Sequence, residues 1–332
     1  MVREAELNCQ SNHKLSLEER FKVMDKTSKI YVAGHAGMAG SAICRELQSS
    51  GFKNIITRTS GQLDLRNSQK VWKSFEKEKP DYVLFCAGKV GGININSREP
   101  ASFLYDNLMM AANVIHSSYI HGVKKLCFLG SSCIYPRECP QPMKEEYLLT
   151  GPLEPTNEGY AVAKLAGYKM AYFYAKQYGM NTISLMPCNL YGKNDHFDLE
   201  KAHVLSSLVK RFVDAVELGE NEITLWGTGS AMREFMNVDD FAKAAIMLME
   251  KLNSPEIINV GTGEEITIRK LAGKIASATG FKGEIKWDSS MPDGMPRKCL
   301  DISKIRQFGF VPKISLDNGI TQMISEYRKK KS

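Results

Sequence analysis

Three polar residues in this chain have the types and spacing for proton traffic at a carbonyl. In "GYAVAK", Tyr160 and Lys164 stand four residues apart, so on a helix both side chains rise from one face toward one spot. An ammonium beside a phenol stabilises the phenolate and lowers its pKa from about 10, which lets the phenol exchange a proton with an alcohol oxygen near neutrality. That spacing also occurs by chance on many surface helices. Ser131 of "GSSCIYP" changes the weighing, because it ends an apolar strand-like run where its hydroxyl can hydrogen-bond a carbonyl under reduction. Two residues on lies Cys133, a thiol that simple hydride transfer does not require. Read by itself, a cysteine beside a strand is a small buried hydrophobe.

A hydride needs a source. "GHAGMAG" places Gly34, Gly37 and Gly40 directly after the first strand-like run and at the start of a helix, where glycines permit a tight turn and bring backbone N–H groups close to a pyrophosphate. The plainer reading is an ordinary strand-to-helix turn. An NAD-selective site ends its second strand with Asp or Glu on the ribose 2′-hydroxyl, whereas "NIITRTS" puts Arg58 near that point. A guanidinium favours a 2′-phosphate, so NADPH is the expected cofactor. Against this, Arg58 is also an ordinary surface arginine, and Ala36 in the glycine loop supplies no second cation.

These residues need a scaffold. From Lys29 the runs "IYVAG", "NIIT", "YVLFCAG", "KLCFLGSS" and "NTISLMPCN" alternate with helix-period segments such as 100–121 and 160–178. That rhythm predicts a parallel sheet with helices on both faces, a doubly wound α/β fold of Rossmann type. After Tyr191 the alternation weakens, and a smaller C-terminal α/β substrate lobe is expected. The expected division is a frayed extension over 1–28, a cofactor domain over 29–190, and a substrate lobe over 191–332 with some segments returning to the first domain.

Composition narrows the class. With 332 residues and 43% hydrophobic content the chain can bury a large core. No apolar stretch approaches the roughly 18 residues of a membrane span, and no signal-peptide pattern opens the chain. A soluble, cytoplasmic protein with no membrane partner is expected. The eight cysteines form no C-x-x-C pair, which points to reduced thiols and no metal site. The formal charge of +7 is scattered apart from "RKKK" at 328–331, expected to be a solvated tail. An anionic small molecule accounts for the excess as well as nucleic acid does, and no nucleic-acid partner is expected.

The glycine loop, "LDL" at 63–65, "CAG" at 86–88, Ser131, Tyr160, Lys164 and "NLYG" at 189–192 together resemble the extended short-chain dehydrogenase/reductases that act on nucleotide sugars. More narrowly, "GHAGMAGSAI", "KVGGI", "GSSCIYP", "LEPTNEGYAVAK", "MPCNLYG", "WGTGSAMREFMNVDD", "NVGTGEE" and "DGMPRK" resemble the GDP-L-fucose synthase family, from about Ile30 to about Asp301. The resemblance implies a homodimer that uses NADPH for 3,5-epimerisation and 4-reduction of GDP-4-keto-6-deoxy-D-mannose. It implies reduction by Ser131, Tyr160 and Lys164, and epimerisation by Cys133 and His203. Cofactor contacts are implied at Gly34, Gly37, Met38, Gly40, Arg58, Asp64, Leu65, Ala87, Gly88, Tyr160, Lys164, Pro187, Asn189, Leu190 and His203. Substrate contacts are implied at Asn189, Lys210, Arg211, Trp226, Arg233, Asp293 and Arg297. Three features depart from the family pattern: Ala36 where arginine is common, Lys193 in place of proline after "NLYG", and the N-terminal extension.

The chemistry is consistent with those roles. Hydrogens at C3 and C5 are acidic because both flank the C4 ketone, and each inversion needs a base on one face and an acid on the other. Thiol and imidazole both cross neutrality, although His203 of "KAHVLSSLVKR" reads by itself as a surface or packing residue. Trp226 can stack on a base and Arg233 can hold a phosphate bidentately, while core packing is the plainer reading for Trp226 and a solvated helix face for Lys210. A sugar 4,6-dehydratase would carry Asp–Glu where this chain has Ser132–Cys133. A sugar 4-epimerase returns its hydride to the substrate and keeps its nucleotide bound. A silent dinucleotide-binding scaffold needs none of the five polar residues.

Overall fold

A computed structural model of the chain describes residues 24–198, 202–291 and 293–331. The expected N-terminal extension lies outside the described residues except for its end, which is packed and not frayed: Met24 is buried in the core, and the Thr27 carbonyl accepts from Asn54 Nδ2 at 2.6 Å.

The first part of the chain runs β1 (Lys29–Ala33), α1 (Met38–Ser49), β2 (Asn54–Ile56), α2 (Ser68–Glu78), β3 (Tyr82–Phe85), α3 (Ile93–Arg98), α4 (Pro100–Ile120), β4 (Lys125–Leu129), α5 (Glu158–Tyr178) and β5 (Thr182–Pro187). There follow β6 (Asn189–Tyr191), α6 (Val204–Leu218), β7 (Glu222–Trp226), β8 (Met232–Asn237), α7 (Val238–Lys251), β9 (Ile257–Val260), β10 (Glu265–Thr267), α8 (Ile268–Thr279), β11 (Glu284–Asp288), β12 (Arg297–Lys298), α9 (Ser303–Gln307) and α10 (Leu316–Lys331).

β3, β4 and β5 are buried along their whole length, as strands must be when helices cover both faces of a sheet. They belong to a parallel sheet of order β2-β1-β3-β4-β5-β9. The order reverses between β1 and β3, and a ligand crevice in such sheets opens beyond the strand ends at that reversal. This is the doubly wound α/β architecture expected from the alternation.

A second sheet is centred on β8, which pairs with β10 antiparallel and with β12 and β6 parallel; β7 and β11 form a separate parallel pair. Its core gathers Tyr191, Phe212, Phe235, Leu271 and Tyr327, whereas α7, β9 and Ile305 pack into the core around the first sheet. β6 follows β5 after one residue and pairs with β8, so the two sheets join where the chain leaves β5.

Candidate active site

The strand ends at the reversal carry the cofactor-type residues. Gly34 follows β1 with φ +86°, and a Cβ there would stand 2.6 Å from Ala87 N. A Cβ on Gly40 would stand 2.2 Å from the Gly34 carbonyl oxygen. Only glycine lets the turn, the end of β3 and α1 approach this closely. Gly37 caps α1 with no side-chain hydrogen bond, so the first N–H groups of the helix, from Met38 on, are free to meet an anion. The neighbouring His35 Nδ1 is buried without a partner. These features fit a dinucleotide pyrophosphate.

The rest of the expected cofactor set is spread around this loop. Gly88 borders Lys164: a Cβ there would meet Asn107 Oδ1 at 3.1 Å and Lys164 Nζ at 3.5 Å. Asp64 is bound by Arg66, whose hydrogen bonds at 3.0 and 2.9 Å hold the carboxylate below its ordinary range. Leu65 is buried, its carbonyl accepting from Asn113 at 2.9 Å. Arg58 lies just beyond β2, but its guanidinium is paired with Glu78 of α2 and donates to the Thr57 carbonyl at 2.7 Å. Pro187 and Leu190 are buried, and Asn189 Nδ2 donates to the Glu234 carbonyl at 2.8 Å.

Ser131, Cys133, Tyr160 and Lys164 come together at the end of β4. Ser131 caps the short 3-10 turn Ser132–Ile134, its Oγ accepting from Cys133 N at 3.3 Å. Lys164 Nζ donates to the Leu129 carbonyl at 2.8 Å and lies 5.8 Å from the Tyr160 ring centre. Burial pushes the Tyr160 phenol well above its ordinary range; Cys133 adds to this and the hydrogen bond with Ser131 opposes it. Burial also pushes Lys164 down to about 8, against Cys133 and Cys86. The sequence predicted a phenol lowered by its lysine. Here the lysine is committed to a backbone carbonyl and desolvation dominates, so the phenol is protonated. Cys133 is raised by burial, with Lys298, Ser131 and Lys164 acting against it in that order.

The other expected residues fall elsewhere. His203 caps α6, is exposed, and no hydrogen bond joins it to Cys133 among the described residues. Nearby in the chain, Asp195 is a buried carboxylate that burial holds above its ordinary range and that accepts from Ser206 and from His196 N at 2.7 Å. Arg233 is half-buried on β8 and donates to its neighbouring Met232 carbonyl at 2.8 Å. Asp293 fixes the turn at Thr228, accepting from its N at 2.7 Å and Oγ1 at 2.6 Å, and Trp226 is half exposed at the end of β7. Arg211 reaches the Thr224 carbonyl at 3.1 Å. Lys210 is bound by Asp214 at 2.7 Å and Tyr327 at 2.9 Å, and Arg297 is held bidentately by Glu265 at 2.7 and 2.6 Å.

The basic tail is exposed, as expected, and also ion-paired. Lys331 reaches Asp214 at 2.7 Å and Glu217 at 2.6 Å, and Lys330 donates to the Asp195 carbonyl at 3.0 Å, because α6 presents carboxylates to α10.

Two residues escaped sequence reasoning. Lys298 stands opposite Arg233 across β12 and β8, although "DGMPRK" had singled out only Asp293 and Arg297; strand alternation turns Arg297 and Lys298 to opposite faces. Glu234 is fully buried and accepts from Thr262 N at 2.6 Å, Gly263 N at 2.7 Å and Leu300 N at 2.9 Å. A glutamate between Met232 and Met236 on one face of "MREFMN" was the available signal.

Residues 30–261 match the model of the NAD dependent epimerase/dehydratase family. The chain is 50% identical over 305 residues to GDP-L-fucose synthase 1 of Arabidopsis thaliana, covering 92% of this chain and 94% of the relative. It is 45% identical to GDP-L-fucose synthase of Escherichia coli K12, covering 88% and 94%. Among solved structures it is similar to MlghC, a GDP-mannoheptose C4 reductase from Campylobacter jejuni with NADP bound, at a TM-score of 0.84 and 38% identity over 92% of this chain and 99% of that one.

Proposed function

This chain belongs to the NAD dependent epimerase/dehydratase family, among the GDP-L-fucose synthases, and on that premise we propose that it converts GDP-4-keto-6-deoxy-D-mannose to GDP-L-fucose by NADPH-dependent 3,5-epimerisation and 4-reduction. The observation that carries the reading is a buried thiol, Cys133, in one cluster with Ser131, Tyr160 and Lys164. A plain ketone reductase has no use for it.

Gly34, Gly37, Gly40 and the start of α1 hold the pyrophosphate, and Arg58 meets the 2′-phosphate after exchanging its Glu78 partner. NADPH supplies the hydride when bound. Ser131 and Tyr160 hydrogen-bond the C4 oxygen and so acidify the hydrogens at C3 and C5. Cys133 removes a proton, and His203 returns one from the other face. Tyr160, kept protonated by burial, then donates its proton to the C4 oxygen as hydride arrives, and Lys164 stabilises the phenolate left behind. Arg233 and Arg211 take the diphosphate, and Trp226 stacks on the base.

The domain division follows the same reading, with 29–190 binding the cofactor and 191–332 mainly the substrate. Tyr105 and Leu108 of α4 and Val162 and Phe173 of α5 are exposed apolar side chains, which supports a homodimer pairing these helices. Among the described residues no helix is long and apolar enough to cross a membrane, and the cytoplasm is the proposed location.

Incubation with NADPH and GDP-4-keto-6-deoxy-D-mannose, followed by NMR of the product, tests the function. GDP-L-fucose is expected. A product reduced at C4 with C3 and C5 unchanged removes the epimerase activity, and failure to oxidise NADPH removes the whole reading.

A further inference from the structure

Asp195 is a carboxylate at 3% exposure in the turn that leaves β6. A carboxylate out of water is unfavourable unless hydrogen bonds satisfy it, and it is a poor device for stability alone.

The turn is built to send this side chain inward. Gly192 has φ +145°, and a Cβ there would stand 2.7 Å from Val238 Cγ1; Asn194 has φ +68°. Asp195 N donates to the Gly192 carbonyl at 3.1 Å and closes the turn. Lys330 Nζ donates to the Asp195 carbonyl at 3.0 Å and lies 5.1 Å from the centre of the Phe197 ring, which packs 4.7 Å from that of Tyr327. The C-terminal helix α10 thus holds the turn from outside.

From there the carboxylate reaches α6. It accepts from His196 N at 2.7 Å and from Ser206 Oγ. Ser206 lies in the first turn of α6, the helix that His203 caps, and Ser207 N donates to the His203 carbonyl at 2.9 Å. The His203 side chain makes no capping hydrogen bond, and the first turn carries no acid of its own. Asp195 supplies the negative charge that a helix start favours. The neighbouring residue faces the cofactor loop: Asn194 Nδ2 donates to Ser41 Oγ at 3.0 Å, and Ser41 N donates to the Gly37 carbonyl at 2.9 Å. Adjacent residues therefore tie the start of α6 to the start of α1, which registers the helix bearing His203 against the glycine loop.

We propose that Asp195 is a positioning residue for epimerisation: its hydrogen bond with Ser206 fixes the first turn of α6 so that His203 meets the sugar face opposite Cys133. This rests on the epimerase/reductase reading above. In the step it supports, His203 gives H⁺ to C3 or C5 of the enolate. The enolate electron pair forms the new C–H bond as the C4 ketone returns, and the imidazolium becomes neutral imidazole. Asp195 exchanges no proton with the sugar.

NMR of the product, measured beside the rate of NADPH oxidation, tests the proposal. In Asp195→Ala the share of sugar reduced at C4 without full inversion is expected to rise about tenfold while NADPH oxidation stays within about twofold of native, because a displaced acid–base group costs at least that much. Ser206→Ala should give the same partition, and the double variant no more, since all three lack one hydrogen bond. It also serves should Asp195→Ala fail to fold. Asp195→Asn should restore most of the native partition, because a carboxamide can still accept from His196 N and donate to Ser206 Oγ. A native partition in the alanine variants, or inversion and reduction lost in equal proportion, overturns the proposal. Amide hydrogen exchange without NADPH or sugar nucleotide reads the hold directly: Ser207 N–H should exchange about tenfold faster in Asp195→Ala, the worth of a hydrogen bond to a charged group. Unchanged exchange there also overturns it. Native protein without turnover ends the proposed function, and hydrogen exchange then still decides whether Asp195 holds the turn.

Discussion

Lys164 Nζ lies 2.8 Å from the Leu129 carbonyl oxygen, which ties the helix bearing Tyr160 to the strand end that leads into Ser131 and Cys133. One hydrogen bond thus links the two elements that carry Tyr160 and the Ser131–Cys133 turn, and burial pushes the phenol up.

Tyr160→Phe is expected to lower kcat for ketone reduction by about 100-fold or more, the usual scale for losing a general acid. NADPH affinity should stay near native, since the phenol addresses the reacting oxygen. Stopped-flow NADPH oxidation and a binding titration check both halves, and near-normal turnover would remove the residue from the mechanism.

Burial holds Lys164 down to about 8 in the free protein. Its ammonium is therefore lost as pH rises through that value, and kcat/KM, which reports free-enzyme groups, should fall above about pH 8. Between about 8 and 10.5 the unfolded chain carries a proton the folded chain lacks, so this group's share of stability rises with pH across that window. Lys164→Arg should move the falling limb upward; a native profile that stays flat through the window contradicts the role.

Proton abstraction precedes hydride delivery, so epimerisation should be visible without NADPH. In D2O the native protein is expected to exchange the hydrogens beside the ketone. Cys133→Ser should lose most of that exchange because a serine hydroxyl, with a pKa far above the ordinary thiol value of about 8.5, is hardly ionised near neutrality and so is a poor base there. His203→Gln should fail to complete inversion and release incompletely epimerised sugar. Native exchange rates and product from both variants would leave the thiol as packing alone.

Arg58→Ala is expected to weaken NADPH about tenfold or more, the worth of a hydrogen bond to a charged group, with little change for NADH. Fluorescence titration reads both. Native protein that binds NADH as tightly as NADPH ends the assignment.

Glu234→Ala leaves the N–H groups of Thr262, Gly263 and Leu300 without their buried acceptor. A loss of about 3 kcal/mol or more is expected, read as a lower Tm, with Glu234→Gln losing less because one oxygen remains. An unchanged Tm for the alanine variant would show that other acceptors take over.

What the sequence alone determined was local in origin. Strand and helix periods, the glycine triplet, and the four-residue step from Tyr160 to Lys164 depend on neighbours along the chain, so the doubly wound sheet and most of the polar cluster at the end of β4 were legible in the order of the residues. Tertiary structure alone decided the charges. It gave Lys164 a backbone carbonyl and Arg58 a glutamate, paired Lys331 with a carboxylate of α6, and brought Leu300, from the far end of the chain, to the buried Glu234. The physical reason is that a side chain's ionisation depends on desolvation and on whichever charges packing brings near it. Those partners come from segments remote in sequence, and no local period encodes them.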